Sequence, residues 1–154
     1  MKVFEPQRFG KYMLLDRIGS GGMAELFLAK MKGEHGFEKI IAIKRILPHL
    51  VGEKKLVDAF ISEARLAAFL QHENIVRTFD FGKIDDDYFI AMDYLFGKNL
   101  RVVTDKAREI GLPMSLVNIL YIITQVLTGL EYAHECTDFQ GNPLKLVHRD
   151  ISPH

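Results

Sequence analysis

The sequence predicts an α+β fold in which an antiparallel sheet carries one packed helix and leads into a helical region. Three observations support this. Strand-like segments fill the first part of the chain, one segment of helical period follows the third of them, and two further helical segments come after the last. Strands joined by short turns pair antiparallel, and a helix placed between them packs on one face of the sheet.

The strand-like segments are separated by turns rich in glycine or aspartate. The apolar run "YMLLDRI" stops at Gly19-Ser20-Gly21-Gly22, and the segments "AELFLAK" and "KIIAIKRI" flank "MKGEHGFE". Later in the chain, "NIVRTFDFG" and "DDYFIAMDYL" have the pattern of a hairpin around "KIDD". The sequence therefore predicts five strands, with residues 1–94 forming a sheet-rich domain.

Three segments have helical character. Residues 53–70 repeat apolar positions at helical spacing, and a second helix is expected over 100–109. Ser115 is a suitable N-cap for a long helix that ends near residue 135. Its wide apolar face comprises Leu116, Ile119, Leu120, Ile123, Val126, Leu127 and Leu130. Residues 95–154 are thus expected to form a helical second domain.

Composition limits the possible partners. The chain has 20 basic and 20 acidic side chains, so no net field favours nucleic acid or an anionic membrane, and an anionic ligand needs a local site. Cys136 is the single cysteine, which excludes an intramolecular disulfide and fits a reducing compartment. The N-terminus lacks a signal-peptide pattern, and we expect no membrane segment and a cytoplasmic protein.

The stretch "IGSGGMAEL" is a candidate phosphate-binding turn, because glycines let backbone amides approach a polyphosphate without side-chain obstruction. Its spacing also fits a dinucleotide-binding pattern, and an ordinary glycine-rich hairpin would have the same appearance. A dinucleotide site requires a helix directly after the glycines, whereas "AELFLAK" has a strand pattern. A Walker-type loop is excluded because no Gly-Lys-Ser/Thr closes the run.

Four motifs in order resemble the protein kinase family, specifically the eukaryotic-like serine/threonine kinases of bacteria. They are the glycine turn, "IAIK" ending at Lys44, Glu63 on the following helix, and "HRD" at residues 148–150. The resemblance extends from about Phe9 to His154. It implies an N-lobe with a five-stranded sheet and a packed helix, the first helices of a C-lobe, and transfer of the ATP γ-phosphate to protein hydroxyls.

The resemblance also implies roles for individual residues. Lys44 would contact the α- and β-phosphates of ATP and Glu63 would hold its ammonium group, while Asp150 would be the catalytic base, supported by His148 and Arg149. The implied ATP-binding residues are Ile18, Gly19, Ser20, Gly21, Gly22, Leu26, Ala42, Lys44, Met92, Asp93, Leu95 and Asn99.

Within that set, Leu26 and Ala42 would sandwich the adenine, Met92 would be the gatekeeper, and the Asp93 carbonyl and Leu95 amide would bond the adenine edge. For Asn99, contact with the ribose and capping of the next helix are equally open.

Some positions depart from the family pattern. Ala24 replaces the third loop glycine, and Ser152 stands where these kinases usually have a lysine. The literal "DFG" at residues 80–82 precedes Asp150, whereas the magnesium-binding motif must follow it, so Asp80 is not assigned to magnesium. No metal ligand is assigned within the chain.

The family pattern places its magnesium ligands after position 154. We therefore expect the 154 residues alone to be inactive and a longer parent protein to be an active ATP- and Mg²⁺-dependent kinase. A non-catalytic, kinase-like interaction or regulatory module is the alternative. The apolar face of the long helix is expected to be exposed and to favour self-association.

Overall fold

The computed structural model describes residues 4–154 and confirms the predicted α+β class, with one more strand than expected. Within that range the strands form a six-stranded sheet of order β1-β2-β3-β4-β6-β5, and all neighbouring strands are antiparallel. The strands are β1 (Gln7–Phe9), β2 (Tyr12–Ser20), β3 (Ala24–Lys32), β4 (Glu38–Ile46), β5 (Thr78–Ile84) and β6 (Asp87–Asp93). The helices are α1 (Lys54–Ala67), α2 (Leu100–Glu109) and α3 (Leu116–Glu135).

The unpredicted strand is β1, at the edge of the sheet. It is three residues long, too short for an alternating pattern to be visible in the sequence. A tight turn at Gly10 and Lys11 brings Phe9 opposite Tyr12. Gly10 has φ +55°, and a Cβ there would lie 2.8 Å from the Ile84 side chain, so the turn requires glycine. The prediction of five strands was therefore wrong by one.

The two faces of the sheet carry separate apolar clusters. The face that we call the outer face carries a cluster to which β1 contributes Phe9; its members are Phe9, Tyr12, Leu14, Phe27, Ala29, Ile41, Ile43, Phe89 and Ala91. On the opposite face, which we call the helix face, α1 packs with Val57, Phe60 and Ala64 against Ala24, Ile46 and Ile90. Burial of these side chains is the main contribution to folding of this part of the chain.

Helix α1 ends at Ala67, before the predicted end at residue 70. The chain divides into two compact units, one that runs to Ala68 and resumes with Val76–Tyr94, and one that comprises Phe69–Ile75 and Leu95–His154. The Tyr132 hydroxyl accepts a hydrogen bond from the Gln71 amide at 3.1 Å and donates to the Phe69 carbonyl at 3.4 Å. The residues after α1 therefore pack in the second unit, which explains why helical periodicity alone placed the end too late.

The second unit is built on two capped helices. Asn99 accepts a hydrogen bond from the Val102 amide, and Ser115 accepts one from the Asn118 amide, as the N-cap prediction for Ser115 required. After α3, Thr137 and Pro143 form an isolated bridge that closes a small loop.

By length and composition alone, helix α3 is a candidate membrane span, which leaves the expectation of no membrane segment a prediction. It has 20 residues, and an 18-residue stretch of it has a mean hydropathy of 1.3, although Asn118, Thr124 and Gln125 interrupt its apolar run. Core helices of water-soluble proteins pass the same test. Unlike such core helices, α3 is largely exposed in the described chain, with 6% of its apolar stretch buried. Its few packing contacts include a hydrogen bond that Gln125 accepts from Asn74 at 2.9 Å and the approach of Gly129 to Asn74.

Charged side chains on the outer face of the sheet form a continuous network. Arg45 contacts Glu25 at 3.3 Å and Asp87 at 3.1 Å, and its guanidinium lies 4.8 Å from the centre of the Phe27 ring. Arg17 contacts the other oxygen of Glu25 at 2.8 Å. Burial alone would raise the pKa of Glu25, but the hydrogen bonds and charges of the two arginines outweigh it and lower the pKa.

A second polar group on this sheet joins Asp80 to the strand β2. The buried Tyr12 hydroxyl donates to Asp80, and Lys11 contacts the same carboxylate at 2.7 Å. Burial and the bond to Asp80 raise the pKa of Tyr12. Burial would raise the pKa of Asp80 as well, but its bonds to Lys11 and Tyr12 outweigh this and lower it.

These contacts predict acid sensitivity of the first unit. A carboxylate whose folded-state pKa is depressed contributes stability above its unfolded pKa, about 4, and that stability is lost as the pH falls through the folded pKa. Urea unfolding between pH 7 and pH 2.5 should therefore show a decline in the free energy of unfolding below about pH 4.5. The variants Asp80→Asn and Glu25→Gln should each reduce this decline, while Asp58→Asn on α1 is the matched control. An equal pH dependence in all four proteins would contradict the prediction.

The contact of α1 with the helix face predicts a large effect at Phe60, which has no exposed surface. Phe60→Ala should lower the free energy of unfolding by about 3–5 kcal/mol, because it removes buried apolar area and leaves a cavity. Phe37 is 56% exposed, and Phe37→Ala should cost less than about 1 kcal/mol. Urea denaturation followed by circular dichroism measures both, and similar losses would show that α1 is not packed as described.

Candidate active site

The antiparallel register gathers several predicted nucleotide-binding residues on the helix face. Leu26 lies opposite Lys44 in the β3–β4 pair, and Ala42 lies opposite Met92 in the β4–β6 pair. Residues directly opposite one another share a face, and Ala42 and Lys44 are two apart on one strand, so all four share that face. Gly19 is opposite Leu26 and belongs to the same face.

Lys44 and Glu63 form the predicted ion pair between β4 and α1. The ammonium lies 2.6 Å from one carboxylate oxygen of Glu63 and 2.8 Å from the other. The Lys44 side chain is 27% exposed, and its ammonium lies 5.7 Å from the centre of the Phe60 ring. Because Phe60 is buried and Glu63 lies one turn further along α1, packing of the helix fixes the carboxylate next to the lysine.

The glycine turn connects β2 to β3, and Gly19 at its start lies opposite Leu26, the residue that is opposite Lys44. The Gly21 amide donates to the Ala24 carbonyl at 2.8 Å, which closes the turn, and Ile18 lies at an irregularity of the ladder between Arg17 and Gly19. Ser20 is paired with Glu25 at the end of the ladder.

Nothing in the described part of the chain explains the choice of glycine in this turn. Gly19, Gly21 and Gly22 have no φ in the left-handed region. A Cβ would come no closer than 3.6 Å to a described atom at Gly19 and 3.8 Å at Gly21, and it would meet none within 4 Å at Gly22. Other residues would therefore fit the turn itself.

Asp93 is the last residue of β6, one position before the first unit ends at Tyr94. Its amide donates to the Arg77 carbonyl at 3.0 Å, and its carboxylate lies 2.6 Å from the ammonium of Lys39. Leu95 begins the next part of the second unit, with 66% of its surface exposed.

In the second unit, the residues around Asp150 form an irregular loop tied to α2. Arg149 has φ +64°, a strained conformation for a residue other than glycine that is often found at functional sites. The Asp150 amide donates to the His148 ring at 3.2 Å. The carbonyl of Pro153 accepts a hydrogen bond from the Arg101 amide at 2.8 Å, so the loop satisfies a free donor at the start of α2.

Two open questions about polar residues have structural answers. Asn99 caps α2, while its contact with a ribose stays a prediction. Asp80 of the literal "DFG" lies on β5 and is held by Lys11 and Tyr12. Across residues 4–154, no three His, Cys, Asp or Glu side chains are grouped closely enough to hold a metal ion.

The sequence did not identify the residues that support this arrangement. The outer face of the sheet carries the side chains of Tyr12, Lys39 and Arg45. In the sequence, each of them resembles an ordinary strand residue. The one usable indication was alternation along β4, which puts Lys39 and Arg45 on the face opposite Lys44. Lys39 pairs with Asp93, 54 positions away, and Arg45 pairs with Asp87, 42 positions away. No local sequence pattern could identify partners at such separations.

Comparison with known proteins gives the same family throughout. The protein kinase domain model matches residues 12–154. The chain is 44% identical over 151 residues to tyrosine-protein kinase MasK of Myxococcus xanthus, covering 96% of this chain and 23% of that protein. It is 32% identical over 146 residues to serine/threonine-protein kinase PrkC of Bacillus subtilis, covering 94% of this chain and 20% of that protein.

Among solved structures, the kinase domain of PknI from Mycobacterium tuberculosis superposes with a TM-score of 0.69 at 28% identity, covering 96% of this chain and 54% of that chain. The chain therefore spans about a fifth to a quarter of these curated relatives and about half of the solved domain. With the family model matched over nearly its whole length, the chain belongs to the protein kinase domain family, as a eukaryotic-like bacterial member.

Proposed function

We propose that this chain binds ATP through its sheet-rich unit and forms the nucleotide-binding part of a serine/threonine protein kinase. The observation that supports this best is the paired Lys44 ammonium, which shares one face of the sheet with Leu26, Ala42 and Met92. The same unit contains the glycine turn, in which no contact within the described chain requires glycine.

The chemistry of the unit fits a polyphosphate attached to an apolar base. The Lys44 ammonium would neutralise charge on the α- and β-phosphates, and Glu63, which accepts two of its three hydrogen-bond donors, would hold it in position with the third left for phosphate. Ile18, Leu26, Ala42 and Met92 offer apolar surface for the adenine. The Gly21 amide closes the turn on the Ala24 carbonyl, so the amides of Ser20 and Gly22 would approach the phosphates, since no side chain at Gly21 or Gly22 stands in the way.

The transfer step would use the loop of the second unit. Asp150 would accept the proton of the attacking hydroxyl, and His148 and Arg149 would shape its loop. Magnesium supplies charge neutralisation in this family, and the residues described here do not form a site for it. We propose that phosphoryl transfer requires magnesium ligands other than the residues described here.

The hydroxyl class of the substrate is part of the proposal. The relative with 44% identity is named a tyrosine-protein kinase, while the relatives PrkC and PksC are named serine/threonine-protein kinases. The loop "HRDISPH" carries Ser152 in place of the usual lysine of serine/threonine kinases. Within this chain, that loop is the segment most relevant to whether serine/threonine or tyrosine is phosphorylated. We propose serine/threonine transfer in the cytoplasm.

Nucleotide binding tests the first part of the proposal. Isothermal titration of the 154-residue protein should detect ATP, and Lys44→Met should weaken binding by about 10- to 100-fold, the value of a hydrogen bond to a charged group. Glu63→Gln should have a smaller effect in the same direction. Lys30→Met is the matched control, because Lys30 forms a comparable pair with Glu38 at 3.1 Å near the other end of the same strands. Equal ATP affinity for Lys44→Met and Lys30→Met would refute the proposed phosphate contact.

Phosphotransfer tests the second part. With ATP, magnesium and a generic protein substrate, the 154 residues alone should show no turnover, because the largest electrostatic contribution in the family comes from its metal site. A longer natural protein should phosphorylate serine or threonine, and Asp150→Asn should abolish that activity. Phosphoamino-acid analysis by mass spectrometry identifies the acceptor. Robust turnover by the 154 residues, or phosphotyrosine as the main product, would overturn this part.

One observation favours the alternative of a non-catalytic interaction module. The apolar residues of α3 are largely exposed, with Leu116 at 69%, Val117 at 75% and Leu120 at 54%. Such a face promotes association, either between copies of the chain or with a partner protein. Light scattering across a concentration series should show an increase in mass that Leu116→Glu combined with Leu120→Glu suppresses. A monomer at all concentrations would count against self-association.

A further inference from the structure

We propose that Lys39 is a positioning residue for adenine, acting through the carboxylate of Asp93. This inference rests on the proposed function, in which the Asp93 carbonyl bonds the adenine edge. It assigns to Lys39 a role in nucleotide affinity that differs from the phosphate contact of Lys44.

The contact is short and well supported. The Lys39 ammonium lies 2.6 Å from Asp93 Oδ1 and 5.0 Å from the centre of the Phe79 ring. Lys39 is 42% and Asp93 34% exposed, so the pair is partly buried and still in contact with water. A cation that touches both a carboxylate and an aromatic ring has fewer alternative positions than a free lysine.

The position of the pair in the sheet shows what it constrains. Ile41 is opposite Asp93 in the β4–β6 ladder, and this is the last pair of that ladder. Lys39 is two residues further along β4, so its bond to Asp93 extends the connection between the strands beyond their last backbone pairing. On its other side, the Asp93 amide is bonded to Arg77. Asp93 is therefore held by β4 on one side and by the residue before β5 on the other, at the point where the chain leaves the first unit.

The carboxylate itself does not face the nucleotide-binding residues. Asp93 pairs with Ile41 of the outer-face cluster, whereas Ala42, Lys44 and Met92 share the helix face. Its side chain thus points away from the face where ATP is proposed to bind. Any effect of the pair on adenine must pass through the backbone of Asp93, whose peptide orientation the side chain restrains.

The Lys39–Asp93 pair differs from the Lys30–Glu38 pair in its position in the sheet. That pair has a similar exposure, 28% and 46%, and a distance of 3.1 Å, but it lies at the turn between β3 and β4. Both pairs are formed by a lysine and an acid on adjacent or nearby strands of one sheet. Only the contact at Asp93 lies at a residue whose carbonyl is proposed to bond the base, so the two pairs separate adenine positioning from general stabilisation.

The test compares adenosine with inorganic tripolyphosphate as competitors of a fluorescent ATP analogue bound to the 154-residue protein. Lys39→Glu places two like charges together and should weaken adenosine binding by about tenfold while leaving tripolyphosphate binding unchanged. The double variant Lys39→Glu with Asp93→Lys restores opposite charges and should recover most of the adenosine affinity. Lys30→Glu, the control, should bind adenosine like the wild type.

The outcomes are distinguishable. If the wild type binds neither ATP nor adenosine, the proposed function fails. If the wild type binds adenosine and Lys39→Glu binds it equally well, or loses adenosine and tripolyphosphate to the same extent, the inference is overturned while the proposed function stands. Should Lys39→Glu not fold, Lys39→Met replaces it, with an expected loss of about two- to fivefold for adenosine alone and the same contradicting results.

Discussion

The alternation of side chains along β4 is the constraint on which the rest of this molecule depends. Ile41, Ile43 and Arg45 face one side of the sheet, and Ala42, Lys44 and Ile46 face the other. One strand thereby builds the outer cluster, anchors the surface on which α1 packs, and directs its lysine toward Glu63. A shift of register by one residue would exchange these faces, burying Lys44 in the outer cluster and separating it from Glu63.

The outer face contributes to the candidate site without touching it. Arg45 binds Glu25, which is opposite Ser20 at the base of the glycine turn, and it binds Asp87 at the start of β6. Lys39 binds Asp93 at the end of that strand. The ionic contacts of this face thus fix the two places where the proposed nucleotide is contacted by backbone groups, the glycine turn and the end of β6.

Most of the fold was predictable because its signals are local. Alternation identified strands β2 to β6, helical period identified the three helices, and Ser115 identified a helix start. The edge strand β1 was missed because three residues carry no period, and the end of α1 was misplaced because packing in the second unit, not periodicity, ends it. The expectation of no membrane segment stays a prediction, because α3 is a candidate span by length and composition only.

The candidate site was likewise predictable from the sequence only in part. The order of the motifs predicted the pair of Lys44 and Glu63, 19 positions apart, and the structure brings them together. Partners such as Asp93 for Lys39 depend on the three-dimensional pairing of strands and have no signature in sequence.

The central claim is that the glycine turn approaches phosphate. Amide chemical shifts in NMR test it most directly: ATP should shift Gly21 and Gly22 strongly and adenosine should not, whereas unchanged glycine amides in the presence of bound ATP would contradict the account.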